Sequence, residues 1–252
     1  MASLSELKSF LDAYLRLSEI TDDPGAVNGL QLEAGGEIES IACAVDASEA
    51  SIEEAIARKA ELLLVHHGLL WGGNRALTGA HARKLSRCFG ARLSVYSAHL
   101  PLDVHPQVGN NAGLLRVLGL TAERSFALWK GTEIGLTAPC DLSLEELAEK
   151  VRAGVGEVKL AGKGPSRTRL KRLGVITGTN GGFVSAAAKA GCDALLTGEG
   201  PHHSALDAEE LGLHLLLAGH YRTEVFGVQA LGAKLAERFG LKAFFIGRDS
   251  GL

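Results

Sequence analysis

Apolar and polar positions divide the chain into two runs of alternating strands and helices. In the first run, Ile41-Ala42-Cys43-Ala44-Val45 and Leu62-Leu63-Leu64-Val65 are short and almost wholly apolar, as expected of strands buried on both faces. Between them, Ser51 to Ala60 begins with Ser51-x-x-Glu54, a capping pattern that predicts a helix. A further helix over Gly79 to Phe89 leads to a strand over Leu93 to Tyr96. This βαβαβ order predicts a parallel sheet covered by helices. Ahead of it, Leu7, Phe10, Leu11 and Leu15 make the apolar stripe of an opening helix that Ser5 would cap, and Asp22-Asp23-Pro24-Gly25 reads as a turn.

The second half repeats the order, with strands at Leu173 to Thr177, Ala194 to Thr197 and Leu215 to Ala218, and helices at Val184 to Ala190 and Ser204 to Leu211. His99 and Asp103 map onto His220 and Glu224 at one constant offset, and His67 maps onto Glu199 at a somewhat larger one. The expected fold is therefore α/β, with two related, closely associated units of mostly parallel sheet. Residues 1–125 form the first unit, with His66, His67 and Asp103. Residues 126–252 form the second, with His220 and Glu224. Trp129 to Leu136 and a helix over Ser143 to Val151, capped by Ser143-x-x-Glu146, would start the second unit. Val228, Leu231, Leu235 and Phe239 fit a terminal helix packing back on the first unit, followed by a strand over Ala243 to Ile246. A duplicated fold of this kind brings equivalent strand ends to one crevice.

Composition narrows the class. A chain of 252 residues buries a sizeable core without help from a metal or disulfides. With 26 Lys and Arg against 29 Asp and Glu, the net charge of -3 gives no broad nucleic-acid-binding surface. Cys43, Cys88, Cys140 and Cys192 stand far apart, so neither a thiolate zinc knuckle nor a disulfide scaffold is indicated. Glu6, Lys8, Asp12, Arg16 and Glu19 interrupt the first turns in a way no signal peptide would. No apolar stretch approaches the roughly 20 residues that span a bilayer, and a soluble cytoplasmic protein is expected.

The chemistry gathers at histidines and acids. His66-His67-Gly68 leaves a buried strand for a loop, where adjacent imidazoles can face different metal ions, so the pair points to a dinuclear centre. Asp103 can give both oxygens to one ion or one to each of two, with helix capping as its plain alternative. His220 and Glu224 share a side if the segment between them is helical. Capping explains the acid but not the imidazole. His99 is read as an outer partner that orients Asp103, a ligand or a water, and Glu199 with the His202-His203 pair as an ordinary polar loop or, alternatively, as groups that relay protons. Gly178-Thr179-Asn180-Gly181-Gly182 is a tight βα turn or an anion cradle, and matches no phosphate-binding fingerprint. His81, His105 and His214 read as surface or packed residues, and Trp71 and Trp129 as hydrophobic filling.

Asn28-Gly29-Leu30-Gln31, Val65-His66-His67-Gly68, Tyr96-Ser97-Ala98-His99 with Asp103, Thr197-Gly198-Glu199 and Gly219-His220-Tyr221-Arg222-Thr223-Glu224 occur in the order found in the NIF3-like family, dinuclear-metal homologues of GTP cyclohydrolase I type 2, which the chain closely resembles. The resemblance implies that His66, His67, Asp103, His220 and Glu224 hold two divalent metals per subunit, in a toroidal homohexamer whose sites face an internal cavity. Leu100 departs from the small polar residue often found after the equivalent histidine.

The expected function is metal-dependent hydrolysis of a small molecule by activated water, with His99, Glu199 or His202 delivering the proton. A GTP-cyclohydrolase-like attack on the guanine ring and hydrolysis of a nucleotide or other phosphoester use the same donors. A non-catalytic metal-binding ring or adaptor is the rival. Mixed imidazole and carboxylate donors suit Zn, Fe, Mn, Co or Ni.

Overall fold

The computed structural model describes residues 1–73, 75–166 and 168–251. The elements are, in order, β1 (Ala2–Ser3), α1 (Leu4–Tyr14), β2 (Gly29–Leu32), β3 (Glu37–Ile38), β4 (Ser40–Asp46), α2 (Glu49–Ala57), β5 (Leu62–His67), α3 (Gly79–Gly90), β6 (Ser94–Ser97), α4 (Leu100–Asp103), α5 (Asn110–Val117), β7 (Arg124–Trp129), β8 (Thr132–Leu142), α6 (Leu144–Gly154), β9 (Lys159–Gly162), β10 (Leu170–Ile176), α7 (Val184–Lys189) behind a 3₁₀ turn at Gly181–Phe183, β11 (Ala194–Thr197), α8 (His203–Glu210), β12 (His214–Leu217), α9 (His220–Phe239) and β13 (Lys242–Phe245). Contacts divide them into two compact units. One is Met1–Leu102 with Gly227–Arg248, and the other is Asp103–Phe226 with Asp249–Leu252. The sequence pattern alone predicts the division after residue 125.

The first unit carries a five-stranded sheet in the order β13-β4-β5-β6-β2. Its first four strands run parallel, and only β2 is antiparallel. The apolar runs seen in the sequence are its centre. Leu62, Leu63, Leu64 and Val65 are fully buried, and Leu63 and Val65 pack with Ile52, Ala55, Val95 and Ile246 in one core. Two helix starts differ from expectation. The cap of α1 is Ser3, which forms a reciprocal capping box with Glu6, so the chain enters the helix before Ser5. The cap of α2 is Ser48, whose hydroxyl accepts from the Ser51 amide. That helix ends at Ala57, short of Ala60, because Lys59 turns into the left-handed region at φ 58.

The second unit has a six-stranded sheet, β7-β8-β10-β11-β12-β9. Its centre, β10-β11-β12, is parallel, whereas β7, β8 and β9 join antiparallel. Trp129 to Leu136 spans the turn of the β7–β8 hairpin, with Lys130 and Gly131 at φ 46 and 88. Leu173, Val175, Leu196, Leu216, Leu147 and Val151 share this unit's core.

The two units are pseudo-symmetric versions of one α/β arrangement. β4-α2-β5-α3-β6-α4 matches β10-α7-β11-α8-β12-α9, and an antiparallel strand borders the third parallel strand in each. The match holds at single bonds: the Ala98 amide donates to Val65 O at 2.9 Å, and the Ala218 amide to Thr197 O at 2.9 Å. Val65 and Thr197 are thus equivalent, so His67 and Glu199, each two positions further on, are equivalent as well. No helix among the described residues is long and apolar enough to cross a membrane.

Candidate metal centre

In the first unit the chemistry lies at the C-terminal ends of the parallel strands, where such sheets present their loops. His66 and His67 end β5, and His99 follows β6. The ring centroids of His66 and His67 are 4.7 Å apart, those of His66 and His99 4.9 Å, and each of the three residues offers a donor atom within 4.8 Å of the others.

Each imidazole is oriented by its Nδ1. His66 Nδ1 meets Ala98 O at 2.9 Å, His67 Nδ1 meets Asp46 Oδ1 at 2.9 Å and His99 Nδ1 meets Asp22 Oδ1 at 2.8 Å. A carbonyl or carboxylate oxygen accepts, so Nδ1 carries a proton, and whenever the ring is neutral the lone pair is on Nε2. Metal-ligating histidines take this form. Asp46 is available because it is the cross-strand neighbour of His67 at the ends of β4 and β5.

Asp22 is the second anchor, at only 6 % side-chain exposure. Its carboxylate accepts from His99, from the Asn28 amide at 2.8 Å and from the Leu100 backbone N–H at 3.0 Å. Burial pushes its pKa up, but the hydrogen bond and charge of His99, with the Asn28 and Asp23 donors, prevail and hold it below the usual carboxylate value. Asn28 also accepts from the His99 amide at 2.7 Å, which ties the loop before β2 to the end of β6.

In the second unit the equivalent strand ends carry His220, Glu224 and Glu199. His220 opens α9, and the helical turn to Glu224 brings its Nε2 within 3.0 Å of Glu224 Oε1. The other ring nitrogen, Nδ1, lies 2.8 Å from Thr179 Oγ1 and 3.4 Å from Glu199 Oε1. Glu224 is 2 % exposed. A buried carboxylate must be compensated by hydrogen bonds, an opposite charge or a metal. Gly178, at φ +73, makes room for it. The Gly178 amide donates to Thr223 Oγ1 at 3.1 Å, so the turn after β10 is fastened to the first turn of α9.

Asp103 closes α4 and is buried. Its Oδ1 accepts from Asn110 Nδ2 at 2.7 Å and from Thr177 Oγ1 at 3.2 Å. Asn111 braces the same segment, donating to Asp103 O at 3.2 Å and accepting from the Thr177 amide at 3.0 Å.

Two groups of donors, His66, His67 and His99 in one unit and His220 with Glu224 in the other, are thus of the kind that coordinates divalent metal ions. The donor chemistry, the Nδ1 anchors and the space at Gly178 all fit a cation. Glu199 belongs to the second group's surroundings, whereas His202 and His203 are exposed at the start of α8 and belong to neither. His105 and His214 are buried, and His105 accepts from the Gln107 and Val108 amides. The anchors Asp22, Asp46, Thr177, Thr179, Asn110 and Asn111 escaped the sequence reading. Asn28 and Thr179 stand in motifs named from the sequence, Thr177 ends a strand read there and Asp22 lies in the Asp22-Asp23-Pro24-Gly25 turn, but none of these motifs marks them as partners of the histidines or acids.

The sequence profile of the Duf34/NIF3 (NGG1p interacting factor 3) proteins matches residues 2–250. The chain is 41% identical over 249 residues to the GTP cyclohydrolase 1 type 2 homolog of Deinococcus radiodurans, covering 98% of this chain and 94% of that one. Among solved structures, TTHA1606 from Thermus thermophilus is similar with a TM-score of 0.86 and 36% identity, covering 100% of both chains. Protein ybgI, described as of unknown function, is similar with a TM-score of 0.91 and 32% identity, again over 100% of both.

Proposed function

The chain belongs to the Duf34/NIF3 family, and from that membership and its donor groups we propose a dinuclear metal-dependent hydrolase of a small molecule. His66, His67, Asp103, His220 and Glu224 are its proposed metal ligands. One observation carries the reading: His66, His67 and His99 each direct Nδ1 at a carbonyl or carboxylate oxygen, which can only accept, and this keeps Nε2 for coordination or proton transfer.

Divalent cations held there supply Lewis acidity, which makes water a nucleophile at neutral pH. The chain's own groups then divide the remaining tasks. His66 and His67 fix donor positions from the rigid end of β5, and Asp103 and Glu224 bring negative charge to balance the cations. His99, oriented by Asp22, moves a proton at Nε2, and Glu199, 43% exposed at its side chain, exchanges one with the leaving group. His202 receives no role. Because the Deinococcus relative is named for GTP cyclohydrolase, attack on a guanine ring is the first chemistry to try, and a phosphoester the second. The homohexameric ring expected of the family belongs to the same proposal, and mass in solution measures it.

The test is metal content together with turnover. Protein loaded with Zn, Mn, Fe, Co or Ni is assayed for formate release from GTP and for phosphoester hydrolysis, beside His67→Ala. Two ions per chain, with turnover that disappears in the variant, is the expected result. Fewer than two ions after loading, or equal turnover in the variant, overturns it. Two ions with no turnover would leave a metal-binding protein in place of an enzyme.

A further inference from the structure

Trp71 lies in the loop that follows His67. Its indole centroid is 4.7 Å from the imidazole of His67 and 4.7 Å from that of His99, with planes inclined by 58° and 69°. Neither imidazole lies flat on the indole, and the residue stays 37% exposed. Tryptophan usually buries most of its large surface, so an exposed indole held against two imidazoles is informative.

The loop holds this indole in place. The Leu70 amide donates to Gln31 Oε1 at 3.2 Å, the Gly72 amide to Gly25 O at 2.9 Å and the Gly73 amide to Leu70 O at 2.9 Å. Gly72 and Gly73 take φ of 84 and 85, a conformation that suits glycine and turns the chain away immediately after Trp71. An aromatic group anchored this way loses little freedom when a ligand arrives. The contrast is Trp129, whose ring is covered by Lys130 Nζ at 4.3 Å.

We propose that Trp71 is a specificity-determining residue that stacks a planar heteroaromatic ring of the substrate beside the His66, His67 and His99 donors. The inference rests on reading those donors as part of a reaction centre, and it narrows the substrate class to small molecules carrying such a ring. Stacking depends on a flat π surface and tolerates different rings, so Trp71 selects for the ring and leaves its identity to other contacts.

The experiment compares 5-phosphates of ribose or ribitol that differ in the ring they carry. Binding of GMP, UMP, flavin mononucleotide and ribose 5-phosphate is measured by calorimetry. Trp129→Phe, which leaves Trp71 as the only tryptophan, reports the GMP titration by fluorescence. The ring-bearing ligands should bind more tightly than ribose 5-phosphate, and GMP should quench Trp71. Trp71→Ala should weaken ring-bearing ligands by about 10-fold or more, Trp71→Phe should retain much of that binding, and both should keep wild-type metal content. The inference falls if none of the three ring-bearing ligands exceeds ribose 5-phosphate, or if Trp71→Ala binds them as the wild type does. It also falls if metal content and ring binding are lost together and Trp71→Phe restores neither. Ring-dependent binding without turnover would overturn the hydrolase reading and leave the stacking role standing.

Discussion

A methyl group placed on Gly178 would come within 2.4 Å of Glu224 Oε1, so the position occupied by the Glu224 carboxylate exists only because residue 178 has no side chain. The nearest atom is the end of a flexible side chain, and Gly178→Ala should therefore displace the carboxylate and leave the fold standing. The φ of +73 adds strain, expected to lower stability by about 1 kcal/mol or somewhat more. Metal content by elemental analysis should drop while the circular dichroism spectrum is kept. Unchanged metal content would argue against Glu224 as a ligand.

Asp46 accepts from His67 Nδ1 at 2.9 Å, and its side chain is 49% exposed. Removing it should leave stability nearly unchanged and free the His67 ring to rotate and change tautomer. Asp46→Ala is expected to weaken metal binding by about 10- to 100-fold, the usual effect of losing such an outer partner. Calorimetric titration with Zn checks it, and wild-type affinity would remove His67 from the proposed ligands.

Asp22→Asn should be costlier, because the buried carboxylate accepts from His99, Asn28, Asp23 and Leu100. An amide puts an N–H against one of these donors, and a loss of about 1–3 kcal/mol is expected. The wild-type pKa is depressed on folding. The unfolded chain therefore binds more protons below the ordinary carboxylate value of about 4. Asp22 stabilises the fold above that value, and the contribution fades as pH falls through the depressed one. Acid titration of urea midpoints should show a shallower decline in Asp22→Asn than in the wild type, and parallel declines would contradict the assignment.

Cys43 is buried in β4, and burial raises its thiol to about 12. The folded protein then keeps a proton that the unfolded chain releases near pH 8.5 or so. Its contribution is complete below that value and is lost as pH rises toward the folded one. Urea midpoints should fall above about pH 9, less steeply in Cys43→Ala. A thiol reagent should label Cys43 only when denaturant is added; rapid labelling of the native protein would count against the packing.

The sequence by itself determined the parallel strands of both units and the helices between them, because buried parallel strands need continuous apolar runs such as Leu62 to Val65 and helices need spaced ones such as Val228 to Phe239. It also determined the duplication, since the offsets linking His99 to His220 and His67 to Glu199 reflect equivalent strand ends. The antiparallel strands β2, β7, β8 and β9 were less legible: whether an apolar stretch runs up or down a sheet is set by its neighbours, not by its own residues. Helix starts such as Ser3 and Ser48 depended on which of several nearby serines reached a free amide. Only the tertiary structure decided which groups serve the histidines. Asp22 is 77 residues from His99 in sequence and Asp46 is 21 from His67. No local spacing encodes such pairs, because a hydrogen bond forms wherever the sheet brings a donor to an acceptor. The setting of Trp71 has the same origin, since its loop is fastened to Gly25 and Gln31, residues far from it in sequence.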